Sequence, residues 1–299
     1  MEIEFLHNSK INIGKWDRAI RESVNSRVYA ESWYLDIVAP DWFGLILDNY
    51  RYVMPLVCNK KLGFKYAFQP VYTQQHGIFP PASAEITSAF LEKLNSLFSF
   101  YELCFNSLNI IEAAAGELVQ RKNYLLNLDS DYTGLFQKYN THAKRHVRKS
   151  KKLCTVSESV SCKQYIDLKT KFAHKGIASK HIKTLTLIIN QSLLKGRGQL
   201  LGAYDAHNEL CAAAFFLKEN KRTIYLNSVS SPEGKSNRAM YGIVDHFIEQ
   251  NAGTKHFVDF EGSNIEGIAR FFEGFGASPE FYSLLKHNSL NWPFNYLKK

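Results

Sequence analysis

Between Gln199 and His287 the chain follows one alternation that few folds satisfy. Three apolar runs, "QLLGAY", "ELCAAAFFL" and "TIYLNSV", are separated by short polar turns, the first of them containing Asp205. Runs of that length bounded by turn residues read as strands joined in hairpins. A helical stretch from Ala239 to Gln250 follows, then a short strand "KHFVDF", a helix from Asn264 to about Gly274, and a closing strand "EFYSLLKH". Strands that alternate with helices specify an α/β fold, and the hairpins make its sheet mixed and mostly antiparallel.

The first half carries a related pattern. A short strand "IEFLH" precedes a helix expected from Lys15 to Ile37, with Trp16, Ile20, Val24 and Val28 on one face. "WFGLILDNYRYVMPLVC" then reads as two strands around Asp48-Asn49, a hairpin signal. "KYAFQPVYTQQHGIF" is strand-like, with Pro70 marking an edge or irregularity. Ile86 to Phe100 reads as a helix and "SLNIIEAA" as a strand. Helix followed by hairpin recurs near Asp205, so the sequence reads as a degenerate internal duplication. The expected domains are 1–122 and 123–299. The second opens with the strand "YLLNLD" and an amphipathic helix through Leu135, Tyr139, Ala143 and Val147. Helices from about Cys162 to His174 and from about Ser179 to Leu194 follow.

"VDFEGSNIEGIARFFEGFGA", Val258 to Ala277, draws attention to chemistry. Ser263 with Glu266 forms a capping box, Ile265, Ile268, Ala269 and Phe272 share a helical face, and Gly274 and Gly276 allow the helix to stop. Asp259 and Glu261 are different. An acid at the end of a buried strand needs a partner, and ligands of open α/β sheets bind beyond the carboxyl ends of strands. Both acids therefore stand as candidate proton acceptors, with an ion pair or a cap as the structural alternative.

Charge narrows the partners. The net charge is +9, and six Lys or Arg lie in "HAKRHVRKSKK", His142 to Lys152, which leaves +3 for the rest. A general nucleic-acid face is not indicated, but one basic segment is. It is either a solvated helix face or a binder of phosphate groups. His142 and His146 have a metal-compatible spacing, but the surrounding cations oppose a metal, and none is expected. Gln69, Tyr72, Gln74 and Gln75 form a polar cluster in a strand region. They would bind a polar acceptor or satisfy backbone groups. The five cysteines (Cys58, Cys104, Cys154, Cys162, Cys211) are scattered, without a C-x-x-C, and read as small buried hydrophobes. No apolar run approaches the ~20 residues of a membrane span, and "MEIEFLHNSK" lacks signal-peptide features. A cytoplasmic location is expected.

The order hairpin, strand, loop, helix, strand, helix, strand resembles the Gcn5-related N-acetyltransferase fold. The apparent duplication resembles the tandem-domain FemABX-like proteins within that superfamily. The resemblance implies a donor, acyl-CoA or acetyl-CoA, lying between "TIYLNSV" and "HFVDF". Its phosphates would meet the loop after "TIYLNSV", so Ser228, Val229, Ser231, Gly234, Lys235, Ser236, Asn237, Arg238 and Ala239 are the expected donor-binding residues. The family's frequent general-acid tyrosine falls on Phe272, and Tyr282 in the closing strand is the replacement candidate. The implied activity is acyl transfer to the amine of a small molecule or peptide. The alternatives are an aminoacyl-tRNA donor bound through residues 142–152, acting on a peptidoglycan-type precursor, and a non-catalytic binding module.

Overall fold

The computed structural model describes residues 2–112, 116–172, 178–262 and 266–290. Ser263 and Ile265, the predicted cap and core residue, lie outside them. The chain divides into two units, Met1–Arg121 with the segment from Phe281 on, and Lys122–Glu280. The sequence expectation was one crossing after residue 122. The chain crosses there, and again at the start of the last strand.

The first unit contains β1 (Glu4–His7), α1 (Ile13–Arg21), α2 (Ser32–Val38), β2 (Phe43–Leu47), β3 (Tyr52–Leu56), β4 (Cys58–Lys61), β5 (Phe64–Phe68), α3 (Ala84–Leu97) and β6 (Phe100–Phe105). The predicted hairpin is β2–β3, and Asp48, Asn49 and Tyr50 at its tip all have positive φ. The single helix expected from Lys15 to Ile37 is two. α1 ends at Arg21, and α2 starts where the Asp17 carboxylate accepts from the Ser32 backbone N–H. Trp16 and Ile20 are buried, while Val24, expected on the same face, is 81% exposed. "SLNIIEAA" is not a strand over its described residues. Asn106 accepts from the Leu108 N–H and donates to the His76 carbonyl, which holds a turn there. The strand is instead β6, whose Tyr101, Leu103 and Phe105 alternate inward.

The chain passes to the second unit through β7 (Glu117–Asn127). Then come α4 (Tyr132–Lys138), α5 (Thr141–Leu153), β8 (Thr155–Ser157), α6 (Cys162–Phe172), α7 (Ser179–Leu194), β9 (Gly198–Tyr204), β10 (Leu210–Glu219) and β11 (Arg222–Ser230). They are followed by α8 (Pro232–Ser236), α9 (Ala239–Asn251), β12 (Phe257–Asp259), α10 (Glu266–Glu273) and β13 (Ser278–Asn288), which returns to the first unit and pairs with β6. The sheet of the second unit runs β7-β12-β11-β10-β9-β8. Only β11–β12 is parallel among these pairs. The helix predicted through Leu135 and Val147 is broken between α4 and α5, where Asn140 caps the second piece by accepting from the Ala143 N–H. Leu135, Tyr139, Ala143 and Val147 are nonetheless all buried in one core with Phe216, Phe247 and Phe272.

In the first unit the segment after β5 is irregular, as Pro70 indicated, and is held by buried polar bonds. His76 is the most perturbed group there. Burial pushes its pKa down to about 4, with the Tyr29 carbonyl, a partner of Nε2 at 3.1 Å, opposing the shift. The neutral ring is the folded form. In the unfolded chain the same ring takes a proton near 6.5, so stability is fully present above pH 6.5 and is lost as pH falls toward 4. The loss across that window is about 3 kcal/mol. Urea unfolding from pH 7 to 4.5 should show this slope in the wild type and a shallower one in His76→Gln.

Candidate functional site

β11 and β12 pair over only three positions: Arg222 with Phe257, Thr223 with Val258 and Ile224 with Asp259. β12 then stops, and β11 runs on to Ser230 with no strand paired on that edge among the described residues. The parting has a physical cause. Phe260 keeps its backbone bond to Tyr124 on β7 and turns its ring into the core, stacked on Phe272 at 4.7 Å. Glu261 and Gly262 then take positive φ. A Cβ on Gly262 would lie 1.9 Å from the Lys122 carbonyl oxygen, so only glycine lets the chain pass. On its other side β11 carries a bulge opposite Phe215–Phe216, a device that re-aims side chains at strand ends.

The base of the parting is an ion cluster. Arg222 Nη1 donates to Asp259 Oδ2 at 3.0 Å and to Glu280 Oε2 at 3.1 Å, and Nη2 donates to Glu280 Oε1 at 2.9 Å. Burial works against the guanidinium's charge, but Glu280 and Asp259 outweigh it and hold its pKa above the ordinary value. Asp259 is 3% exposed, and its second oxygen accepts from the Glu261 N–H at 2.9 Å.

Above this base lies a cleft of about 440 Å³, bounded by β11, α8, the start of α9, and α10. Tyr225, Phe271 and Phe272 give it an aromatic wall, Ser228 and Ser230 line it along β11, and Lys235 and Arg238 supply two cations. Arg238 is the N-cap of α9, has φ 59, and makes no side-chain capping bond. The α9 N-terminus is therefore free of a capping carboxylate or hydroxyl from that residue, and its dipole favours an anion.

The expected donor-binding residues divide into two groups. Ser228, Gly234, Lys235 and Arg238 line the cleft; Val229, Ser231, Ser236, Asn237 and Ala239 are not among its lining. Ser231 caps α8 by accepting from the Gly234 N–H at 3.0 Å, and Asn237 donates to Glu233. Gly234 has a packing reason: a Cβ there would lie 2.2 Å from the Cys211 carbonyl oxygen on β10. Asp259 and Glu261 do not line the cleft, and Tyr282 belongs to the first unit. Gln69, Tyr72, Gln74 and Gln75 also lie in the first unit, where Gln75 is fully buried. Sequence reasoning missed Tyr225, Ser230, Met240, Tyr241 and Phe271 in the cleft. Tyr225 was visible as a polar aromatic in the strand that carries the loop. Burial pushes its phenol pKa up, so it stays protonated.

The basic helix α5 divides as well. Lys151 is committed to Asp245 at 2.8 Å and Glu249 at 3.6 Å. His146 packs against Tyr241 with ring centroids 4.8 Å apart and the ring planes tilted by 54°. Its basicity is lowered by burial first, then by Arg238, Arg145, His142 and Lys149. The α5 cations and the cleft rim thus act within one field. Of the cysteines only Cys211 is buried, and the other four are half-buried. Among the described residues no group of three or more His, Cys, Asp or Glu is placed to hold a metal, and no helix is long and apolar enough to cross a membrane.

No protein-family model matches the sequence, and comparison with curated proteins gives no match. Solved structures do match. The crystal structure of FemX superposes with a TM-score of 0.65, covering 99% of this chain and 99% of that one at 13% identity. The chain has the fold of FemX. A conserved protein of unknown function from Bacteroides thetaiotaomicron gives 0.61, covering 95% and 100% at 9% identity. L-PGS from Bacillus licheniformis gives 0.51, covering 88% and 89% at 8% identity. The FemX match spans both units.

Packing and binding separate within the α8 loop. Gly234→Ala should destabilise by about 1–3 kcal/mol through overpacking against β10, whereas Lys235→Ala, at an exposed position, should leave the melting temperature almost unchanged. Thermal denaturation of the two variants measures the difference.

Proposed function

We propose that this protein is an acyltransferase that holds a phosphate-bearing acyl donor in the cleft beside β11 and passes the acyl group to an amine. One observation carries the reading. An open strand edge, an aromatic wall and two cations at a helix N-terminus converge on one cleft. Each part suits a different part of such a donor. Backbone groups of β11 beyond Ile224 pair with the extended arm and, at the acyl carbonyl, stabilise the oxyanion of the tetrahedral intermediate. The aromatic wall takes the apolar portion. Lys235, Arg238 and the α9 N-terminus take the phosphates.

The amine attacks the acyl carbonyl, the carbonyl π pair moves to oxygen, and collapse of the intermediate expels the leaving group. The amine's proton leaves to solvent. Tyr225, kept protonated by burial, donates a hydrogen bond to the departing atom. Phe272 holds Tyr225 by an edge contact at 6.2 Å and supplies no proton. Most of the rate enhancement in this scheme is positional.

Acyl-CoA is the first donor to test. The second reading is an aminoacyl-tRNA, favoured by the field that joins the rim at Arg238 to Arg145 and Lys149 on α5. Calorimetry separates them. Acetyl-CoA or a longer acyl-CoA should bind, and Lys235→Ala or Arg238→Ala should each weaken binding about tenfold, the loss of one charge-assisted contact. Neutralising Arg145, Arg148 and Lys149 together should leave acyl-CoA binding nearly unchanged. A tRNA donor would instead require those three and weaken steeply with salt. Binding of neither donor at millimolar acyl-CoA or micromolar tRNA overturns the proposal.

A further inference from the structure

The first unit buries a guanidinium without a counter-ion. Arg27 is 3% exposed. Its Nη1 donates to the Ser26 carbonyl at 2.8 Å and its Nη2 to Gln75 Oε1 at 3.5 Å. Its Nε has no hydrogen-bond partner, and no carboxylate lies within ion-pair distance of it among the described residues. Glu31, nearby in sequence, accepts from Arg21 and from the Trp33 indole. His76, next to Gln75 in the chain, is neutral and adds no charge. A buried cation left in this state is expensive, because desolvation is not offset by a paired anion.

The surroundings share the deficit. Two segments, Asn25 to Tyr34 and Gln69 to Ile78, are fastened together through Tyr34 on the Tyr72 carbonyl, His76 on the Tyr29 carbonyl and Asn25 on the Ile78 carbonyl. Gln69 Oε1 accepts from the Cys104 N–H, and the Cys104 carbonyl accepts from the His76 N–H, so Gln69 is tied to the same framework. Within these segments Gln69 Nε2 and Thr73 Oγ1 are also buried without a partner. Arg27 Nε and Gln69 Nε2 are donors only, and Thr73 Oγ1 can donate. An uncompensated cation in a segment that also holds unmet donors calls for one kind of ligand, an oxygen anion. The loop reaches the surface at Tyr72 and Gln74, which are half-buried.

We propose that Arg27, with Gln69, Thr73 and Gln75, forms an oxyanion-binding site in the first unit, built for the carboxylate or phosphate group of a ligand. The site is separate from the donor cleft and does not depend on the acyltransferase reading. It also gives the polar cluster Gln69, Gln74 and Gln75 a charge around which to recognise a ligand.

The test uses the full chain carrying Lys235→Ala and Arg238→Ala, so that the donor cleft cannot report. Inorganic phosphate and acetate are titrated separately by calorimetry and by thermal shift, with chloride constant. Binding of either anion at millimolar concentration, with a raised melting temperature, supports the site, and the tighter of the two names the ligand's group. Arg27→Met should weaken that anion more than tenfold while keeping or raising the melting temperature, because it removes an unpaired buried charge. Thr73→Val, which leaves the guanidinium in place, should weaken it several-fold, and it serves as the readout if Arg27→Met does not fold. No binding of phosphate or acetate by the parent protein overturns the proposal. So does binding that neither Arg27→Met nor Thr73→Val alters.

Discussion

The cleft of the second unit exists because β12 ends at Asp259, and that end is fixed by Arg222. The guanidinium stands at the first residue of β11 and reaches both Asp259 and Glu280. It therefore fixes where the parallel pairing begins and the point past which it fails. Such a cluster contributes little net stability compared with apolar residues of similar volume, but removing one partner costs ~3–5 kcal/mol because a charge is left buried. Its value here is positional. Above it, Phe260 wedges between β7 and Phe272, and β11 continues with one edge unpaired. The Ser228 and Ser230 wall of the cleft lies along that unpaired edge, and Lys235 and Arg238 follow it in the chain.

The same logic separates the cations of the basic segment. Lys151 is spent on Asp245, which is fully buried and also accepts from Tyr132. It therefore holds α5 to α9 rather than facing a ligand. His146 lies against Tyr241 at the cleft, and the charges that lower its basicity come from both α5 and Arg238. A run of like charges in sequence thus resolves into a part that joins α5 to α9 and a part that lies beside the cleft.

Local chemistry made the hairpins and α7 legible. Asp48-Asn49 can take positive φ, and Ser179 to Leu194 has unbroken helical spacing with a glycine after it. β6 was hidden because "FYELCF" follows α3 with only Phe98 and Ser99 between them, so its first residue reads as the end of the helix. Only the alternation of Tyr101, Leu103 and Phe105 distinguishes it. The break between α1 and α2 was hidden because the pieces are joined through Asp17 and Ser32, fifteen residues apart. At the site, the cost of an acid in a strand correctly singled out Asp259 as a residue needing a partner. The partner, Arg222, lies 37 residues away and is adjacent only once the β11–β12 register exists. The loop glycine Gly234 reads in sequence as a phosphate-loop residue; in space it is also the point where α8 touches β10. Sequence gave no sign that Arg27 is buried, since its segment has the spacing of a surface helix.

Four buried acids among the described residues each meet a cation. Asp17 and Glu31 meet Arg21, Asp245 meets Lys151, and Asp259 meets Arg222. Each of these acids is at least nine-tenths buried, and each has its cation within 3.4 Å. Arg27 departs from the rule in a segment that is otherwise rigidly tied, with His76, Asn106 and Asn109 all hydrogen-bonded. Loose packing does not explain a missing partner in so well-bonded a setting. A counter-charge that arrives with a ligand does, and it accounts at the same time for the unmet donors on Gln69 and Thr73.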